Sequence, residues 1–113
     1  MNGYYIVPSF GLMVTDWKTN KKIFFTGDTQ FCPNQIMDFY EQADLIIQDC
    51  EYLYFDGKAV KSGVHAHYED LKTLPNEIKA KMILSHYQDG MDCFPIEYDG
   101  FSRLAKKGGA ITI

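Results

Sequence analysis

A chain of 113 residues with a formal net charge of −4, 46% hydrophobic and holding eight Tyr, eight Phe and one Trp, has apolar material for one packed core and length for one domain, residues 1–113. That composition excludes a disordered chain, and the acidic balance argues against a nucleic-acid surface made from charge alone, because phosphate binding needs clustered Lys and Arg, so a nucleic-acid partner stays open but is not indicated by charge. The lysines are instead spread over 18–22, 58–61, 72–81 and 106–107, the pattern of solvated faces and turns. Three cysteines, Cys32, Cys50 and Cys93, with no C-x-x-C spacing, argue against a disulfide framework or a thiolate zinc site and read as free thiols in a reducing compartment. No apolar run reaches membrane-spanning length and no basic segment with an apolar core opens the chain. The expectation is a soluble, cytoplasmic protein with no membrane partner.

In chain order, Tyr4 to Val7 and Gly11 to Asp16 carry β-branched and aromatic side chains and predict two strands, interrupted at Pro8-Ser9. The polar run Trp17-Lys18-Thr19-Asn20-Lys21-Lys22 predicts a hairpin connection into a third strand, Ile23 to Thr26. That strand is apolar without alternation, the pattern of a strand covered on both faces. Behind Pro33, the residues Ile36, Met37, Phe39, Tyr40 and Ala43 recur at near-helical spacing while Asp38 and Glu41 face water, so residues 34 to 43 predict a helix. Leu45-Ile46-Ile47 predicts a short buried strand running out to Asp49, Cys50 and Glu51. Residues 51 to 63 read as loop. A second helix is expected from His67 or Tyr68 through Leu71 and Leu74 to the break at Pro75, followed by a buried strand over Lys81 to Ser85 with His86 at its end. Residues 101 to 107 predict a further helix stopped by Gly108-Gly109, and residues 110 to 113 a closing strand. Strand and helix alternate after residue 22, behind an antiparallel hairpin, which is the pattern of an α/β domain.

Ligands of open α/β sheets gather beyond the carboxyl ends of strands. Asp28, Asp49 and His86 each follow an apolar strand, and His65 and His67 come from a loop able to fold over the same edge. Imidazole plus carboxylate suits a borderline divalent metal such as zinc, manganese or iron. A carboxylate shared between two metals roughly 3.5–4 Å apart makes a hydrolytic pair. In these residues the chain resembles the metallo-β-lactamase fold hydrolases, within the branch of tRNase Z-type ribonucleases and related phosphodiesterases. Four pieces fall in that family's order: Gly27-Asp28-Thr29 after a strand; Ala43-Asp44-Leu45-Ile46-Ile47 followed by Asp49; the loop histidine of Gly63-Val64-His65-Ala66-His67; and Leu84-Ser85-His86.

The resemblance implies half of an αββα metallo-β-lactamase sandwich, its C-terminal half, as a mixed β-sheet with helices on one face. It implies that Asp28 bridges two metals, that His86 binds one of them, that His65 contacts the scissile phosphate or assists the leaving group, and that Asp49 orients His65. The implied cofactor is a divalent metal, zinc first, with manganese or iron as alternatives. His67 is assigned to the wall of the substrate pocket or, on local grounds, to the N-cap of the following helix. The family's H-x-H-x-D-H motif does not precede Asp28, because the three histidines of this chain all follow it. His65-Ala66-His67-Tyr68-Glu69-Asp70 stands after the Gly-Asp-Thr and lacks the final histidine. The expected partner is therefore a missing N-terminal half or a second copy of the chain, and the expected substrate a small phosphodiester or ester. Two other functions remain open on the same fold: a non-catalytic remnant or interaction module, and a thioester or lactone hydrolase. A haloacid dehalogenase-like phosphatase would need an upstream D-x-D nucleophile, which Asp16-Trp17-Lys18 does not provide.

Overall fold

The computed structural model describes residues 3–7, 11–26, 32–62, 65–86 and 96–105, with residues 3–7, Pro33 and His86 as backbone. Strands β1 (Gly3–Val7), β2 (Gly11–Asp16) and β3 (Lys21–Thr26) form the expected antiparallel meander. Its second turn is closed locally: the Asp16 carboxylate accepts the Lys18 N–H at 3.0 Å, and Asn20 takes the left-handed conformation at φ 58°, which Asn tolerates better than most residues.

Helix α1 (Pro33–Gln42) follows, with proline in its first turn where the missing N–H costs nothing. It buries Ile36 and Tyr40, one turn apart, and half-buries Met37 and Phe39. Its last carbonyls are capped from outside the helix by the Lys81 ammonium, which donates to Ala43 O at 2.6 Å and Glu41 O at 3.3 Å. Asp44 then ties the chain back to β3: its N–H donates to Lys22 O at 2.7 Å and its carboxylate accepts Lys22 N–H at 2.8 Å. Strand β4 (Leu45–Cys50) leaves that point parallel to β3, pairing Phe24 with Ile46 and Phe25 with Ile47.

The segment read as loop from 51 to 63 contains a two-stranded ribbon, β5 (Tyr54–Phe55) and β6 (Lys58–Ala59). Its turn is Asp56-Gly57, both at positive φ (52° and 76°), the two-residue connection whose twist matches that of paired strands. The expected second helix divides into α2 (Tyr68–Leu71), which begins on His67, and α3 (Asn76–Lys79), which begins on Pro75. Strand β7 (Met82–His86) pairs parallel to β4, Ile46 opposite Met82 and Cys50 opposite His86.

The expected helix over residues 101–107 is corrected. Arg103–Leu104 is a short strand, β8, parallel to β7, and flanking bonds from Ser102 N–H to Met82 O (3.0 Å) and from Ala105 N–H to Leu84 O (2.8 Å) extend the pairing. A free ladder edge on β7 outweighs weak local helix preference, because those edge groups are satisfied only by a neighbouring strand. The closing strand expected at 110–113 lies outside the described residues.

The sheet order is β1-β2-β3-β4-β7-β8, with no reversal. Parallel crossovers are right-handed, so a sheet that always grows in one direction receives its crossover helices on one face. One core cluster accordingly joins Met13, Phe24, Ile46, Cys50, Met82 and Leu84 of the strands to Ile36 and Tyr40 of α1, Tyr68 and Leu71 of α2, and Ile78 of α3. The fold is therefore α/β, a mixed sheet carrying its helices on one face. On β4 the burial alternates strictly, with Ile46, Gln48 and Cys50 buried and Leu45, Ile47 and Asp49 half-buried. The expectation that β3 is covered on both faces holds at Ile23 and Phe24, which leave opposite sides of the strand and are both buried, and fails at Phe25, which is 37% exposed.

Candidate functional site

Strands β3, β4 and β7 are parallel and end together, so their carboxyl ends make one rim. Thr26, the last residue of β3, is laced to β4: its hydroxyl oxygen accepts the Asp49 N–H at 2.8 Å and lies 3.4 Å from Ile47 O, to which it donates. Gly27-Asp28-Thr29 follow directly in sequence and lie outside the described residues, so the position of Asp28 stays an expectation. His86 is described as the last residue of β7, in register with Cys50. The rim thus collects the chain leading to Asp28, the Asp49–Glu51 segment and the backbone of His86.

At the centre of the described part of this rim, His65 Nδ1 is hydrogen-bonded to the Asp49 carboxylate. The contact counts as an ion pair when the ring is protonated, and both side chains are more than four-fifths buried. A carboxylate on Nδ1 selects the ring's tautomer and orientation, leaving proton exchange to Nε2. The two residues are 16 apart in sequence, and the chain between them is returned to β4 by a set of bonds around Glu51. Its backbone N–H donates to Ala66 O at 2.8 Å and its carbonyl accepts from Tyr68 N–H at 2.7 Å, forming a parallel bridge to His67. Its carboxylate accepts the Ser62 N–H at 2.9 Å. Ser62 Oγ in turn accepts the His65 N–H at 3.3 Å. Neither Glu51 nor Ser62 stood out in the sequence; the signal for Glu51 was a carboxylate two residues beyond Asp49 at the end of an apolar strand.

His67 sits deeper, 1% exposed. Its Nδ1 accepts the Glu69 N–H at 3.0 Å, the N-cap bond of α2, and its Nε2 meets Leu53 O at 2.9 Å. One ring nitrogen accepting and the other donating is the full capacity of a neutral imidazole. Tyr54 lies edge-on against the ring, centroids 5.1 Å apart. The structure therefore places His67 as a cap and as an anchor for the β5–β6 ribbon, within the wall rather than at the rim.

Behind the pair, buried Gln48 joins the core to the site. The Tyr40 hydroxyl donates to its amide oxygen, and its amide nitrogen donates to Asp49 O at 2.9 Å. Burial pushes the Tyr40 phenol well above its ordinary range, with a smaller push from Cys32, so the hydroxyl stays a neutral donor. Burial, then the Asp49 and Glu51 carboxylates, push the Cys50 thiol up in the same way. Cys50 is thus an inert core thiol rather than a nucleophile, and Cys32 is a half-buried free thiol.

Among the described residues no three His, Cys, Asp or Glu side chains converge as metal ligands. The two donors that do meet, Asp49 and His65, are bonded to each other, so on their own they suit proton handling and not metal binding. Among the described residues no helix is long and apolar enough to cross a membrane.

Comparison with known proteins bears on the fold and the family. A family model described as Anti-Pycsar protein Apyc1 matches residues 1–111. The chain is 28% identical over 88 residues to the Anti-Pycsar protein Apyc1 of Paenibacillus sp. (strain J14), a match covering 77% of this chain and 32% of that protein. It is 33% identical over 73 residues to the Ribonuclease Z of Macrococcus caseolyticus (strain JCSC5402), covering 64% and 24% respectively. The metallo-β-lactamase fold protein YhfI of Bacillus subtilis superposes with a TM-score of 0.51 at 19% identity, covering 94% of this chain and 46% of the other. The chain thus spans about a quarter to a third of the curated relatives it matches. With a mixed sheet, helices on one side and a family match over nearly all its residues, the chain has the metallo-β-lactamase fold and belongs to the Anti-Pycsar protein Apyc1 family.

Proposed function

We propose that this chain is the C-terminal half of a metal-dependent phosphodiester hydrolase, supplying part of a dinuclear site. The observation that carries the reading is the Asp49–His65 pair on the rim shared by β3, β4 and β7. Relatives that include a ribonuclease, an enzyme that cleaves phosphodiesters by name, support the reaction class. Asp28 and His86 would hold the metals, zinc first, together with ligands from an N-terminal half. Bound divalent ions supply hydroxide at neutral pH and stabilise charge on a phosphoryl oxygen. His65 gives its Nε2 proton to the leaving oxygen, and Asp49 holds the ring on Nδ1 and stabilises the charged imidazolium before that transfer.

The partner is proposed from the same geometry. Leu12, Val14, Leu45 and Ile47 are half-buried and Phe25 is 37% exposed on the sheet face opposite the helices. Asp49 alternates onto this face. An apolar sheet face beside an incomplete site fits an N-terminal half, on the same or another polypeptide, in keeping with the 46% of YhfI that this chain covers.

The test mixes the chain with the N-terminal half of a family member and follows hydrolysis of bis-p-nitrophenyl phosphate with zinc or manganese. Complementation should give turnover that Asp28→Ala abolishes and His65→Ala lowers about 100-fold or more, the usual weight of a general acid. A metal-loaded, assembled complex with no turnover leaves the non-catalytic module as the function. Turnover of thioesters or lactones alone moves the substrate class. A homodimer of the chain that excludes the N-terminal half would overturn the proposed partner.

A further inference from the structure

We infer that Glu51 is a positioning residue that sets His65 against Asp49, a role that rests on the proposed proton transfer by that pair. One residue here grips both ends of the segment that carries the histidine. Its carboxylate holds Ser62 N–H, three residues before His65, at 2.9 Å. Its backbone holds Ala66 O and Tyr68 N–H, one and three residues after His65, at 2.8 and 2.7 Å. Ser62 passes the constraint on through the 3.3 Å bond from His65 N–H to its hydroxyl oxygen. Glu51 is only 2% exposed, and a buried carboxylate that merely filled space would be costly, whereas one accepting a backbone N–H is compensated and directional.

Asp49 and Glu51 lie two positions apart at the end of β4, so the strand acts as a ruler. The Asp49 side chain takes the ring of His65, and Glu51 takes the backbone on either side of it. The backbone part of this clamp survives any side-chain change; the carboxylate part does not. Removing the carboxylate should therefore free the Ser62 end while the Ala66 to Tyr68 end stays paired, loosening His65 without unfolding α2.

The experiment reads the imidazole directly. The chain has three histidines, few enough for their ring nitrogens to be assigned by long-range proton–nitrogen correlation. In the 113-residue chain, His65 should show a single tautomer with Nδ1 protonated and a slowly exchanging Nδ1–H. Glu51→Ala should accelerate exchange of that proton about tenfold or more and mix the tautomers, while His67 is unchanged. Glu51→Gln, whose amide oxygen still accepts the Ser62 N–H, should largely restore the native spectrum. Ser62→Ala, at an exposed position, should accelerate exchange about threefold, in keeping with loss of one weak hydrogen bond.

A folded Glu51→Ala with native His65 signals overturns the inference. Should Glu51→Ala fail to fold, native His65 signals in Ser62→Ala overturn it instead. Hydrolysis is a separate readout: an assembled complex without turnover sinks the proposed reaction and leaves the clamp standing. If turnover is found, Glu51→Ala should lower kcat about 10- to 100-fold with KM nearly unchanged, as loss of an outer-shell orienting group does.

Discussion

The two faces of the six-stranded sheet have different duties. On one, Phe24 is fully buried beneath α1, its ring 5.9 Å from Phe39 and 6.0 Å from Tyr40. On the other, its neighbour Phe25 is 37% exposed, on the same face as Leu45, Ile47 and Asp49. Adjacent, chemically identical side chains thus differ only in which side of the backbone they leave. The helix-covered face holds the fold together. The other face buries Ile23 and Ile83 but leaves Phe25 exposed, carries the carboxylate bonded to His65, and is the face proposed to receive an N-terminal half.

The largest contrast is expected at those two phenylalanines. Phe24→Ala removes a buried ring and should cost about 3–5 kcal/mol in urea unfolding of the chain, whereas Phe25→Ser should cost well under about 1 kcal/mol. Equal losses would mean that both faces are closed. Next comes Lys79, buried on the helix side, whose ammonium donates to Asp99 O at 2.7 Å and Lys72 O at 3.2 Å and lies 5.7 Å from the centre of the Phe101 ring. Lys79→Met leaves both carbonyls without that donor and should lower stability by about 2 kcal/mol, visible as a lower Tm.

Smaller again is the polar link through the core. Gln48→Leu strands the buried Tyr40 hydroxyl and should cost about 1–2 kcal/mol, while the double variant Tyr40→Phe/Gln48→Leu should regain most of it. A double variant no better than the single would show that the pair contributes nothing as a pair.

The half-exposed Glu69–Lys72 pair, 2.9 Å apart, should contribute least. The Lys72 ammonium, with help from the Tyr54 hydroxyl at 3.0 Å, holds the Glu69 carboxyl below its ordinary value. A depressed folded-state value means that its contribution is present above the unfolded carboxylate pKa and is lost as pH falls through the folded one. Carboxyl-carbon titration should show that value rising toward the ordinary range in Lys72→Met. An unshifted curve would remove the pair from the account.

Much of this protein could be read from residue order, and the failures share a cause. The meander, α1, β4 and β7 each announce themselves in runs of five or more residues with a clear apolar pattern, because burial against a core imposes it. Asp49 and His65 were visible as a carboxylate at a strand end and a histidine in the following loop. Arg103–Leu104 lies in a helical sequence pattern yet forms a strand, because a two-residue strand has no period of its own and exists by pairing with β7. The β5–β6 ribbon is signalled only at its Asp56-Gly57 turn, its two-residue strands being likewise too short to carry a pattern.

By itself the sequence determined the class of fold, the order of its longer elements, β1 to β4, α1 and β7, and the residue types at the rim, since these follow from side-chain patterning and short-range backbone preference. Only the tertiary structure decided that Phe24 is buried while Phe25 is left exposed, that the ring of His67 also reaches Leu53 O, and that Glu51 grips the loop between Asp49 and His65. The last two depend on hydrogen bonds between residues 14 and 11 positions apart, and no local pattern encodes a contact whose two partners are brought together only when the chain turns back on itself.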